Sequence, residues 1–170
     1  VIVFFVVGVA PQLSVAQTVG LECQGSPAAG FPDRSLYESA RKRVEKGALF
    51  QFAVESYGAF LKCQWRLGNL QYVFAKGVVL TAEADEKIEA YSVQIDHVVV
   101  KQPVAMDVLK RIEATWFEGA KCEIDWQRPE RMKSNQGFLD LHFRGEVCHC
   151  SGHLRLRGDN VVRIGFSSAC

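Results

Sequence analysis

Cys148-His149-Cys150-Ser151-Gly152-His153-Leu154-Arg155-Leu156-Arg157-Gly158-Asp159-Asn160-Val161 is the stretch on which the reading of the fold turns. Leu154 and Leu156 alternate with His153, Arg155 and Arg157, the period of two that marks a strand with one buried and one wet face. Gly158-Asp159-Asn160 then supplies a turn into residues 161–170, so the chain closes on a hairpin. Read as one strand over 147–157, the stretch also puts Cys148 and Cys150 on one face and His149 on the other. Two thiols on one face suit bridges to two distant segments, or a shared metal.

The other end of the chain indicates the compartment. Residues 1–10 are an apolar run, broken by Pro11 and followed by Ser14-Val15-Ala16, the pattern of a secretory signal with a small-residue cleavage site. The expectation is a signal peptide over 1–16, cleaved to leave a secreted or periplasmic chain beginning near Gln17. The run is too short to span a membrane. No Met or basic segment precedes it, so an uncleaved anchor is the alternative, and membrane contact is expected through that segment alone. Glu22 directly before Cys23 argues against lipid attachment, which needs a small residue there.

The sequence has 170 residues, room for one domain with its own core, and six cysteines. Cys23, Cys63, Cys122, Cys148, Cys150 and Cys170 all follow the signal, and an even count behind an export signal reads as disulfides of unspecified connectivity. A formal net charge of +1 gives no argument for nucleic acid or a membrane surface.

Residues 17–34 carry the proline and glycine of a tether. Ser35-Leu36-Tyr37-Glu38 has capping-box spacing, and Leu36, Ala40 and Val44 give the helix that follows a narrow apolar stripe, ended or bent by Gly47. Residues 48–61 fit either period, with helix favoured. Beyond Cys63 the pattern becomes short alternating runs. Gly68-Asn69 and Lys76-Gly77 mark tight turns, and Tyr91, Val93 and Ile95 oppose Ser92, Gln94 and Asp96, which reads as an antiparallel meander with one wet face. Pro103 opens a second helical pattern through Ala105, Val108, Leu109, Ile112 and Trp116 that Gly119 stops. A polar loop over 127–136 leads to a strand over 138–143.

The fold class is therefore α+β: antiparallel meander sheet with two or three helices, stapled by disulfides. Two segments also resemble each other. Gly58-Ala59, Lys62-Cys63, Trp65, Gly68, Leu70, Phe74, Gly77 and Val79 match Gly119-Ala120, Lys121-Cys122, Trp126, Gly137, Leu139, Phe143, Gly145 and Val147 across short gaps. This suggests two tandem helix-plus-sheet units, 35–100 and 101–170, against the alternative that short turn-flanked strands look alike by chance.

No motif specifies a reaction or calls for a cofactor. His153, Arg155, Arg157 and Arg163 form a basic stripe suited to an anionic small molecule, a glycan carboxylate or a phospholipid head group, or simply the polar face opposite Leu154 and Leu156. Cys148, Cys150 and His153 with Cys122 or Cys170 are the residue types of a zinc site, and Cys148-His149-Cys150 those of a thiol-redox site, but structural disulfides are preferred behind an export signal. The pairs Asp140/His142 and Asp96/His97 suggest oriented imidazoles, with Ser134, Ser151, Ser167 and Ser168 available as nucleophiles, yet no nucleophile turn marks a hydrolase. Glu83, Asp85 and Glu86 lack the spacing of a calcium loop. Arg41-Lys42-Arg43 reads as a solvated helix face, and Tyr72, Phe74, Trp116 and Trp126 as core rather than a ligand cage. The expectation is a non-catalytic binding or accessory protein whose partner is a protein or an anionic ligand. A metal or thiol-redox protein is the first alternative and a small hydrolase the second.

Overall fold

A computed structural model describes residues 23–25, 34–66, 69–84, 91–116, 123–134, 136–145 and 149–168. The expected signal segment over 1–16, the acidic stretch 85–90 and Cys122, Cys148 and Cys170 lie outside them. The described chain runs α1 (Arg34–Lys46), α2 (Ala48–Tyr57), β1 (Lys62–Arg66), β2 (Asn69–Val73), β3 (Val79–Ala84), β4 (Tyr91–Lys101), α3 (Gln102–Trp116), β5 (Glu130–Lys133), β6 (Leu139–Arg144), β7 (Ser151–Arg157) and β8 (Asn160–Ser168). All eight strands join one antiparallel sheet in the order β1-β2-β3-β4-β8-β7-β6-β5. The α+β meander is thus a single continuous sheet, with β4 against β8 at its centre and each half reached through helix followed by four meandering strands.

Alternation decides which face is buried. Leu70, Tyr72 and Phe74 on and beside β2, Val93 and Ile95 on β4, Ile164 and Phe166 on β8, and Leu154 and Leu156 on β7 all turn to the helical side. Leu141 and Phe143 of β6 join them, as the alternation requires. Leu49, Phe52 and Ala53 of α2 and Ala105, Val108, Leu109 and Ile112 of α3 close this core from above. Leu49, Phe52 and Ala53 recur at helical spacing, which settles the ambiguous segment as helix through Tyr57. Phe50 packs edge-on to Tyr72 (4.9 Å) and Phe74 (5.9 Å), and Phe60 to Tyr72 (5.1 Å), so Tyr72 and Phe74 are core as expected.

Two carboxylates fasten helices to this core. The buried Tyr72 hydroxyl donates to Glu45 Oε1 (3.0 Å), which also accepts from Arg41 Nε (2.7 Å), so part of the basic cluster on α1 serves structure. Burial, with the Glu45 charge next, raises the Tyr72 hydroxyl well above the usual phenol range. On α3, Glu113 accepts from the Ile124 amide (2.9 Å) and from Trp126 Nε1 (2.6 Å). Trp126 in turn packs on Phe143 (5.3 Å) and over Gly152, where an added Cβ would stand 2.8 Å from the indole.

Several boundaries differ from the sequence expectation. His149 and Cys150 are not part of strand β7, which begins at Ser151; the Gly145 amide bonds to the Cys150 carbonyl (2.9 Å), and residue 147, where the strand is expected to start, lies outside the described residues. The supposed polar loop contains β5, whose Glu130-Arg131-Met132-Lys133 are all exposed and show no alternation. Such a charged, short strand is how a sheet blunts its edge. Asn69 already belongs to β2 and pairs with Arg66, so the expected Gly68-Asn69 turn does not include it, and Gly68 lies outside the described residues. The capping residue Ser35 follows the first helical residue, and nothing of its side chain is described.

The opposite edge is covered. Gln24 pairs with β1, its amide bonding to the Cys63 carbonyl (3.0 Å) and its carbonyl accepting from Trp65 (2.8 Å), beside the Cys23–Cys63 disulfide. The disulfide spans a sequence separation of 40, for which chain-entropy arguments give about 3–4 kcal/mol. Replacing both Cys23 and Cys63 with Ala is expected to lower unfolding stability by about that amount in urea titrations, leaving the far-ultraviolet dichroism of the sheet in place.

Candidate functional site

The sheet face away from the helices is polar, and its side chains fall in rows fixed by the strand register. One row runs Asp96 (β4), Arg163 (β8), Arg155 (β7) and Asp140 (β6). The next runs Gln94, Gly165, His153, His142 and Glu130. A third brings Ser92, Ser167, Ser151 and Arg144 together.

The first row is matched in charge. Arg155 grips Asp140 in bidentate fashion, Nε to Oδ1 at 2.7 Å and Nη2 to Oδ2 at 3.0 Å. Arg163 Nε meets Asp96 Oδ1 at 2.5 Å, and Gln94 Nε2 donates to the other Asp96 oxygen at 2.6 Å. The Arg155 hydrogen bonds hold the Asp140 carboxyl below the usual carboxylate range, and the same bonds raise the Arg155 guanidinium. Of the anion stripe read from the sequence, His153, Arg155 and Arg163 are brought together, with both arginines engaged by aspartate. Arg157 is exposed at the end of β7, where its guanidinium lies over Phe138 at 5.8 Å.

The second row is built around His153. Its imidazole lies on the backbone of Gly165, where any side chain would collide with the ring, and stacks on His142 at 5.9 Å with 22° between planes. Burial first, then the charges of His142 and Arg163, push the His153 imidazole down to about 4. It is therefore neutral near pH 7.

The acid–base pairs foreseen in the sequence do not assemble into a reacting group. Both Asp140 oxygens are taken by Arg155, while Asp96 is held by Arg163 and Gln94. His97 adopts φ 62° and stands exposed in a bulge that leaves residues 97–99 of β4 opposite Val162 of β8. Ser151 and Ser167 bond to each other at 2.8 Å, Ser134 Oγ accepts the Gln136 amide at 3.1 Å, and Ser168 is buried. Among the described residues no hydrogen bond joins a serine to a histidine.

Of the thiol and metal candidates, Cys150 is buried and disulfide-bonded, His149 is exposed, and Cys122, Cys148 and Cys170 lie outside the described residues. Glu83 ends exposed on β3, with Asp85 and Glu86 undescribed. Among the described residues no three His, Cys, Asp or Glu side chains are grouped to hold a metal ion. Nor is any helix there long and apolar enough to cross a membrane.

Sequence reading placed Gln94 on the wet face without its bond to Asp96, and overlooked Glu113 and Gly165. Gly165 had no visible signal, because its need arises from a ring on the neighbouring strand. Glu113 did have one: it lies four residues from Leu109, at the margin of the apolar stripe of α3. No protein family, curated protein or solved structure matches this chain.

The His153 environment gives a pH signature. Its folded pKa of about 4 lies below the ordinary 6.5, so the unfolded chain takes up a proton that the native chain refuses. Stability is full above about pH 6.5 and declines as pH falls toward 4, by on the order of 3 kcal/mol in total. Urea titrations at stepped pH are expected to show this slope in the wild-type chain and its loss in His153→Asn.

Proposed function

We propose that this chain is an exported, disulfide-stabilised binding or accessory protein with no reaction of its own. The observation that carries the reading is the way the open face uses its ionisable groups on one another. Arg155 is matched to Asp140, Arg163 to Asp96, and His153 to His142 and the Gly165 backbone. A catalytic acid or base needs a free proton site within reach of a substrate atom, and a nucleophile needs a base beside it. Here Asp140 and Asp96 are occupied, the His153 imidazole is held neutral, and Ser151 pairs with Ser167.

Export is supported by the Cys23–Cys63 disulfide and by the oxidised state of Cys150, since such bonds persist in oxidising compartments. Both belong to the framework: Cys63 and Cys150 are buried, and the first bridge secures the sheet edge. The partner is a protein or an anionic ligand. An anion approaching His153, Arg155, Arg157 and Arg163 meets Arg157 first, because the charges of the two inner arginines are already balanced by Asp140 and Asp96 while Arg157 is exposed and in no ion pair among the described residues.

Intact mass of the exported, purified protein, alkylated with and without prior reduction, tests the proposal. The expected result is a chain cleaved after Ala16 in which no cysteine reacts until reductant is added. Alkylation of Cys150 without reduction, or a metal mass lost on denaturation, would instead make the thiols a site and overturn the scaffold reading.

A further inference from the structure

The large apolar side chains left exposed among the described residues gather toward one end of the sheet. Antiparallel register brings together there the start of β1, the end of β2, the start of β3 and the end of β4. The start of β8, end of β7, start of β6 and end of β5 follow in the other half. Leu61, just before β1, is 69% exposed; Val99, in the β4 bulge, 70%; and Val104, in the first turn of α3, 48%. Met132, at 51%, lies one residue short of the end of β5. The bulge is the device that turns Val99 outward, since the left-handed backbone at His97 shifts the alternation between the buried Ile95 and the buried Val98.

The same end carries unmatched charge. Lys62, Lys76, Lys101, Lys133 and Arg157 are exposed there against one exposed carboxylate in its turns, Asp159. None of these five takes part in an ion pair among the described residues, in contrast to the arginines of the open face. The four aliphatic side chains stand on four different elements, before β1, on β4, on α3 and on β5. The exposed edge strand here, β5, is short and charged, which disfavours an added peptide strand, whereas a lipid interface accepts isolated side chains and a diffuse cationic field.

We infer that this end of the sheet docks on an anionic lipid surface, with the lysines and Arg157 at headgroup level and Leu61, Val99 and Val104 entering the acyl boundary. The inference rests on the binding-protein reading and names its partner class. It also keeps Arg157 as first contact while leaving the Arg155–Asp140 and Arg163–Asp96 pairs intact.

The test is sedimentation of the full oxidised chain with phosphatidylcholine vesicles, with vesicles containing roughly a third phosphatidylserine, and, in parallel, retention on immobilised polyglutamate. Binding is expected to the anionic vesicles and not to the neutral ones, and to weaken with salt. Lys101→Gln and Arg157→Gln should each lower vesicle affinity about fivefold, and together about thirtyfold. Asp159→Asn, which removes the opposing charge from an exposed turn, should raise it about fivefold. Val99→Ser with Val104→Ser should reduce vesicle binding while leaving polyglutamate retention unchanged. Equal binding to neutral vesicles overturns the inference, as does vesicle binding indifferent to the charge variants in a chain of unaltered thermal unfolding. Retention on polyglutamate with none on vesicles overturns it in favour of an acidic protein partner. A chain that ignores both probes while its cysteines resist alkylation overturns this inference alone and leaves the exported scaffold standing.

Discussion

The antiparallel pairing of β4 with β8 is the constraint on which the rest of the structure depends. Without it there are two four-stranded meanders, each with an edge open at its innermost strand; with it there is one sheet of eight strands over one core. The ladder aligns Val93 with Phe166 and Ile95 with Ile164, so apolar pairs meet across the joint on the helical side. Helix α3 leaves β4 directly at Gln102 and packs back over β4 and β8, with Ala105, Val108, Leu109 and Ile112 fully buried. One register choice therefore fixes the core, the place of α3 and the polar rows on the other face. A slip of one residue would send Val93 and Ile95 into water and turn Gln94 and Asp96 toward the helices.

That same register explains why the open face is rich in charge yet nearly neutral within its rows. Asp96, Arg163, Arg155 and Asp140 stand in line on adjacent strands, at the short spacing where unlike charges are favourable and like charges are not. The side chains of these four residues are between a sixth and a third exposed, so each pair loses part of its hydration and gains a fixed partner in return. The acid–base–base–acid order, in which each arginine has an aspartate on its outer side, cannot arise on one strand alone, since it needs four strands to assemble it. The His153 imidazole is fitted into the adjacent row by the missing side chain at Gly165. It supplies flat, neutral surface where another cation would crowd Arg163.

This is also where legibility in the sequence ends. The fold class could be read because period two is local: Leu154 and Leu156 declare a buried face, and Ala105 to Ile112 a helical one, without reference to anything distant. The closing hairpin was legible for the same reason, its Gly158 adopting φ 59° in the turn. β5 was missed because an edge strand has no buried face to impose alternation. The basic stripe was seen as residues but not as ion pairs, since Asp96 lies 67 positions from Arg163 and only the sheet brings them together. The matched segments around Leu70 and Leu139 do fall on β2 and β6, each the second strand from its edge.

Net charge illustrates the same limit. A formal value of +1 is an average over the chain and carries no information about where the charges sit. Folding sorts them: aspartates and arginines meet in the rows of the open face, and Lys62, Lys76, Lys101, Lys133 and Arg157 collect where strands begin and end. Turns at strand ends are the places where Lys and an exposed aliphatic residue disturb neither ladder nor core, so sequence is freest there to serve a partner. In a sheet whose faces are committed, one to the helices and one to its own ion pairs, the docking proposed above falls to the ends. The rigid ladder then holds those ends at fixed spacing, and the stability of the scaffold becomes the preorganisation of the surface it presents.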